Sequence, residues 1–167
     1  MKTLNSNLNT RIIRSQEKFL RLTEKKQHEN LLIFENDLNF YGREKLYRSY
    51  KNIFVATLPN DARHIRLSSS IIEYKKNLVV QFCEFFPNST ILSSDLESTI
   101  SSNNKFDIVY PFVGENLTFL ERLKSRTSIE YSYLFRHEDH ISMQYCQKGF
   151  FQFKKNIPKV LESLLCR

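Results

Sequence analysis

Apolar positions follow three different spacings along this chain. Over residues 1–51 they recur at helical intervals. Ile12, Phe19, Ile33 and Phe40 fall seven apart, with Lys26 interrupting the series, while Leu31, Phe34, Leu38 and Tyr41 follow i, i+3, i+7, i+10. Residues so spaced share one face of a 3.6-residue helix. The spacing predicts an N-terminal helical arm ending near Gly42, with Leu31, Phe34, Leu38 and Tyr41 as a face for a partner protein. The companion heptad positions, Ser15, Leu22, Glu29 and Asn36, are mostly polar, which argues against a coiled coil.

From residue 52 strand-like and helix-like stretches alternate. Ile53–Leu58 is a short apolar run closed by Pro59-Asn60, as a buried strand would be. Residues 61–76 fit a helix, and the β-rich run Leu78–Phe86, stopped by Pro87, reads as the strongest strand. Ser94 and Glu97 form a capping box for a short helix. Phe106–Tyr110 is a further strand, and Leu117, Leu120 and Leu123 share a face of the helix after it. Repeated strand–helix alternation points to βαβ units and a parallel sheet.

The last third alternates with period two. Ile129, Tyr131, Tyr133 and Phe135 face one way, and Ile141, Met143 and Tyr145 repeat the pattern after the polar segment Arg136–His140. That pair predicts an antiparallel hairpin, with Phe150–Phe153 as a third strand and a helix opening at Asn156 and Pro158. The expected fold is therefore α/β. It has a mixed, mainly parallel sheet with helices on both faces, a C-terminal antiparallel hairpin and an N-terminal helical arm. The expected domains are the arm, 1–51, and an α/β domain, 52–167.

Composition narrows the chemistry. Only three glycines occur, Gly42, Gly114 and Gly149. A phosphate-binding P-loop, a dinucleotide fingerprint, a kinase glycine loop and a nucleophile elbow each need at least two glycines close together. None is present in standard form. The three cysteines, Cys83, Cys146 and Cys166, make no C-x-x-C pair, so a zinc knuckle or redox dithiol is not expected. No apolar run is long enough to span a bilayer, and the expectation is an intracellular protein, in the nucleus. Lys2, Arg11 and Arg14, with Leu4, Leu8 and Ile12 and no acid before residue 17, keep a mitochondrial presequence as the alternative.

Three clusters are candidates for chemistry. Arg136–His140 holds two histidines and two acids, one residue short of the zinc-peptidase H-E-x-x-H spacing, and reads as a solvated turn; no metal and no cofactor is expected. Asp107 sits inside a strand near the carboxyl ends where α/β sheets bind ligands. A nuclease pattern needs an acid-x-Lys on the following strand, but Glu130-Tyr131-Ser132 lacks the lysine. The order of elements over 52–150, with its Asp-bearing strand, resembles that of class I methyltransferases. That resemblance would imply a cofactor site, yet Pro59-Asn60-Asp61-Ala62 follows the first strand in place of their glycine-rich loop. The alternative reading is thus a degenerate methyltransferase-like or nuclease-like enzyme using Asp107 and Glu130.

Charge supplies the leading expectation. The chain carries +7, with 25 basic and 18 acidic residues, and the excess lies at both ends. Arg43, Lys45, Tyr47, Arg48, Tyr50 and Lys51 interleave cations with aromatic rings, a pattern that suits phosphate neutralisation and base stacking. The expected function is a non-catalytic subunit of a chromosome- or ribonucleoprotein-associated complex. It would contact DNA or RNA through these basic residues and other protein subunits through the arm, with no membrane partner. A pure protein–protein adaptor is the third reading.

Overall fold

The computed structural model describes residues 22–23, 25–93, 96–146 and 149–165. The chain divides after Leu134 into a larger unit and a smaller one that begins at Phe135. The larger unit is a six-stranded sheet. Its strands are β1 (Leu22–Thr23), β2 (Asn30–Phe34), β3 (Asn52–Ala56), β4 (Ser89–Leu92), β5 (Lys105–Val109) and β6 (Glu130–Leu134). Its helices are α1 (Glu44–Arg48), α2 (Ser69–Phe85), α3 (Leu96–Asn103) and α4 (Glu115–Arg126).

Strand order is β1-β6-β5-β2-β3-β4, and every pairing is parallel. Counted from β2, the five longer strands take the doubly wound order 3-2-1-4-5, with β1 in the sixth place. The central strands are short, nearly all-apolar runs because they are covered on both faces. Along β2, Leu31 and Ile33 enter one core with Tyr47, Val79 and Phe82 of α1 and α2. Leu32 and Phe34 enter the other, with Leu96 and Ile100 of α3 and Leu120 and Leu123 of α4. Helices therefore flank both faces, as expected.

Several expectations are corrected. Residues 31–41 are not a helical arm. Leu31 and Phe34 are fully buried in β2, Leu38 packs against the core of α1 and α2, and Tyr41 is 89% exposed beyond the strand. Four consecutive apolar residues, Leu31–Phe34, satisfy a strand buried on both faces, and the helical spacing through them is coincidental. β2 also joins residues before 52 to the sheet, through β3 and β5. The remainder of the arm, residues 1–21, lies outside the described residues.

The run Leu78–Phe86 is the second half of α2 rather than a strand. Val79, Phe82 and Phe86, spaced i, i+3, i+7, are its buried positions. Packing along one helical stripe thus overrides the β propensity of the segment. The strand of this unit is β4, just past Pro87, in a segment with no strong apolar pattern. The expected helix over 61–76 is a single 3₁₀ turn, Asn60–Ala62, followed by α2 from Ser69. The short helix expected near Glu97 is present as α3, with Ser94 outside the described residues.

The antiparallel hairpin is also absent among the described residues. Its first limb is β6, parallel to β5, and its second is helix α5 (His137–Tyr145). Arg136 is the N-cap of α5, Glu138 and Asp139 lie in its first turn, and Arg136 Nη2 donates to Asp139 at 2.9 Å. Acids there suit the positive end of the helix, so the polar segment starts a helix instead of turning a hairpin. α6 (Phe150–Leu165) begins where a third strand was expected and carries Pro158 in its interior. α5 and α6 pack together to make the smaller unit.

Candidate functional site

In a doubly wound sheet, ligands bind outside the carboxyl ends of the strands, near the point where strand order reverses. Here the reversal lies between β2 and β5. Beside it, between α2 and the carboxyl ends of β2, β3 and β4, is a cleft of about 290 Å³. Glu35, Asn60, Arg63, Lys75 and Lys76 supply its polar wall, and Leu58, Ile72, Val79 and Ile91 its apolar one.

The charged groups are held by the loops. Glu35 is the first residue past β2, and its carboxylate accepts from Arg63 Nη2 and, at 3.2 Å, from Lys75 Nζ. The side chains of Arg63 and Glu35 are 5% and 3% exposed. Arg63 Nη2 also donates to Leu58 O at 2.8 Å, and Nη1 to Glu115 Oε2 at 3.2 Å. Its Nε–H is buried and finds no acceptor among the described residues.

Glu115, the first residue of α4, also accepts from the backbone N–H groups of His64 at 2.9 Å and Ile65 at 3.4 Å. Desolvation pushes its carboxyl upward, but these N–H donors and the Arg63 guanidinium outweigh it and hold the group below the usual carboxylate range. Gly114, at φ 88°, makes the turn that brings Glu115 there. The loop after β3 closes on itself, with Asn60 Nδ2 donating to Leu67 O at 3.1 Å and Leu67 N to Asn60 Oδ1 at 2.8 Å. Arg63 is therefore fixed from three sides. Sequence reading missed this site because Glu35, Arg63, Lys75 and Glu115 lie far apart in the chain and carry no motif.

Asp107 lies toward the other end of the sheet. It is the third residue of β5 and fully buried. Its Oδ2 accepts from Tyr50 Oη at 2.7 Å and from the backbone N–H groups of Gln27 at 2.8 Å and His28 at 3.3 Å, in the segment ahead of β2. Its Oδ1 is buried without a partner among the described residues. Glu130 pairs with Lys105 at 2.7 Å on the exposed amino ends of β5 and β6.

The residues expected to contact nucleic acid are divided by the fold. Tyr47 and Tyr50 are core residues with no free ring face for a base, which corrects their reading as stacking groups. Arg43 packs over the Tyr47 ring at 5.0 Å and donates to Asn39 O at 2.9 Å. Lys45, Arg48 and Lys51 are exposed, with Arg48 over the Phe85 ring at 4.9 Å. His137 and His140 belong to the first turn of α5. Among the described residues no group of three metal-ligating side chains is assembled, and no helix is long and apolar enough to cross a membrane.

No known family model matches this chain, and no curated protein matches it significantly in sequence. The class defined by the fold is a doubly wound, all-parallel α/β domain with a charged cleft on the carboxyl side of its sheet.

Proposed function

We propose that this chain binds a small anionic metabolite, bearing phosphate or carboxylate, in the cleft between α2 and the carboxyl ends of β2, β3 and β4. The carrying observation is Arg63, a buried guanidinium held in place by Glu35, Glu115 and Leu58 while its Nε–H lacks an acceptor among the described residues. An unmet buried donor costs about 1–3 kcal/mol, and a ligand oxygen would remove that cost. The lining adds Lys75 and Lys76, so that with Arg63 three cations meet two carboxylates, Glu35 in the lining and Glu115 paired with Arg63, an excess of one positive charge.

Size and loop chemistry support a compact ligand. The cleft falls just below the range of roughly 300–1,000 Å³ common for small-molecule sites. The loop after β2, Glu35-Asn36-Asp37-Leu38-Asn39, has two acids and no glycine, so it suits no pyrophosphate. Side chains of α2 and the loop after β3 would hold the anion instead.

Thermal shift and calorimetry with inorganic phosphate, ribose 5-phosphate, AMP and citrate test this. A bound ligand at 100 times its Kd adds about 2.7 kcal/mol of stability. Lys76 is exposed, so Lys76→Glu should weaken binding at least about tenfold, the order expected for a lost charge contact, without lowering the melting temperature. No shift across the panel sinks the proposal.

A second reading, the nucleic-acid-contacting subunit, is favoured by the exposure of Lys45, Arg48 and Lys51 along one short segment. It relies on phosphate contacts alone, since the tyrosines are in the core. Anisotropy with DNA and RNA at two salt concentrations tests it, because phosphate contacts weaken steeply with salt.

A further inference from the structure

An open cavity of about 710 Å³ lies at the amino ends of β2, β5 and β6, lined in part by His28, Asn30, Lys105, Glu130 and Ser132. Within it Ser132 Oγ stands 3.5 Å from His28 Nε2. Ser132 is the register partner of Asp107 on the adjacent strand, so the two side chains project from the same face of the sheet. Asp107 also accepts the His28 backbone N–H at 3.3 Å. The fold thus gathers a hydroxyl, an imidazole and a buried carboxylate from three separate segments. The carboxylate's second oxygen has no partner among the described residues, and none of the three is used by the cleft on the carboxyl side.

We propose that Ser132 and His28 form an acyl-transfer pair acting on short polar esters that enter this cavity. A nucleophile and base near hydrogen-bond reach, with a third group fixing the base, is the arrangement such chemistry needs, and the contact is often long before substrate binds. Ser132 Oγ attacks the ester carbonyl carbon as its proton passes to His28 Nε2. The bond from that carbon to the leaving oxygen breaks, and the alcohol departs with the proton. Water then attacks the acyl-serine, gives a proton to His28, and releases the carboxylic acid as Ser132 regains its own. Asp107 is a positioning residue: its Oδ2 accepts the His28 backbone N–H and so anchors the segment that carries the imidazole.

The full chain is treated with a fluorophosphonate probe, the modified peptide is located by mass spectrometry, and p-nitrophenyl acetate turnover is followed in parallel. The expected result is one modified serine, Ser132, with labelling and turnover lost in Ser132→Ala and at least tenfold slower in His28→Gln. Melting curves of each variant establish that it is folded. Asp107→Asn is expected to lower kcat with KM unchanged. Because Asp107→Asn could unfold the protein by releasing Tyr50, Ser132→Ala and His28→Gln decide the matter. Absence of label on the wild type, equal label on Ser132→Ala, or an undiminished rate in folded His28→Gln overturns the proposal.

Discussion

Tyr50 Oη donates a 2.7 Å hydrogen bond to Asp107 Oδ2, joining the turn ahead of β3 to the middle of β5. Both groups are buried, so neither can turn to water for a substitute. Tyr50→Phe removes the donor, keeps the ring, and leaves the carboxylate, among the described residues, two backbone N–H groups. Hydrogen bonds to charged groups contribute about 1.5–3 kcal/mol. Urea denaturation should show a loss of that order with an unchanged m-value; a change under about 0.5 kcal/mol, smaller than typical net hydrogen-bond contributions, would mean the bond is dispensable.

The same pair sets a response to alkali. Burial first, then the bond to Asp107, pushes the Tyr50 phenol far above its ordinary range. A group whose folded pKa is raised contributes stability that is complete below its unfolded pKa, near 10 for tyrosine, and that is lost as pH rises through the folded value. Stability should therefore fall with pH above about 10, and Tyr50→Phe should flatten that slope. Equal slopes in the two proteins would show that other groups carry it.

Glu115 predicts the opposite limb. Its folded pKa is depressed, with N–H donors from Ile65 and His64 and the Arg63 guanidinium overcoming desolvation. The stability it contributes is present above its unfolded pKa, about 4.3, and is lost as pH falls through the lower folded value. Melting temperatures of wild type and Glu115→Gln should converge below about pH 4 and separate above it. A constant gap from pH 3 to pH 7 would locate the effect of the substitution elsewhere.

These relationships show which parts of the molecule were legible in sequence. β3, β5 and α4 announced themselves because each is one local pattern ended by proline or opened by glycine. α2 and β4 did not. The run Leu78–Phe86 has strand propensity, and only the sheet beneath selects Val79, Phe82 and Phe86 as a helical stripe. Phe40 stacks on Phe85 at 4.6 Å and meets Phe86 edge-on at 5.0 Å, a cluster that no local window contains. The cleft was invisible for the same reason: Glu35, Arg63 and Glu115 become neighbours only when β2, β3 and β5 align. Asp107 did stand out in sequence as a polar residue inside an apolar strand, but its partners, Gln27, His28 and Tyr50, lie 57 to 80 positions away in the chain.

The strand that replaced the expected arm gives the sharpest test of the fold. A free arm could be removed without harm, so deletion of residues 1–45 would leave a folded sheet. β2, however, lies between β5 and β3 and pairs with both, and it contributes four fully buried side chains to two cores. Its removal splits the sheet in two and exposes Val55, Phe106 and Ile108, among others, to water. The point variant Phe34→Ala isolates one of those contributions and should cost about 3–5 kcal/mol, the usual range for a buried phenylalanine. Circular dichroism and urea denaturation of both proteins check this. The deletion should show no cooperative transition, and Phe34→Ala a transition at lower urea. A cooperative transition in the deleted chain would return residues 31–41 to the role of an appended arm.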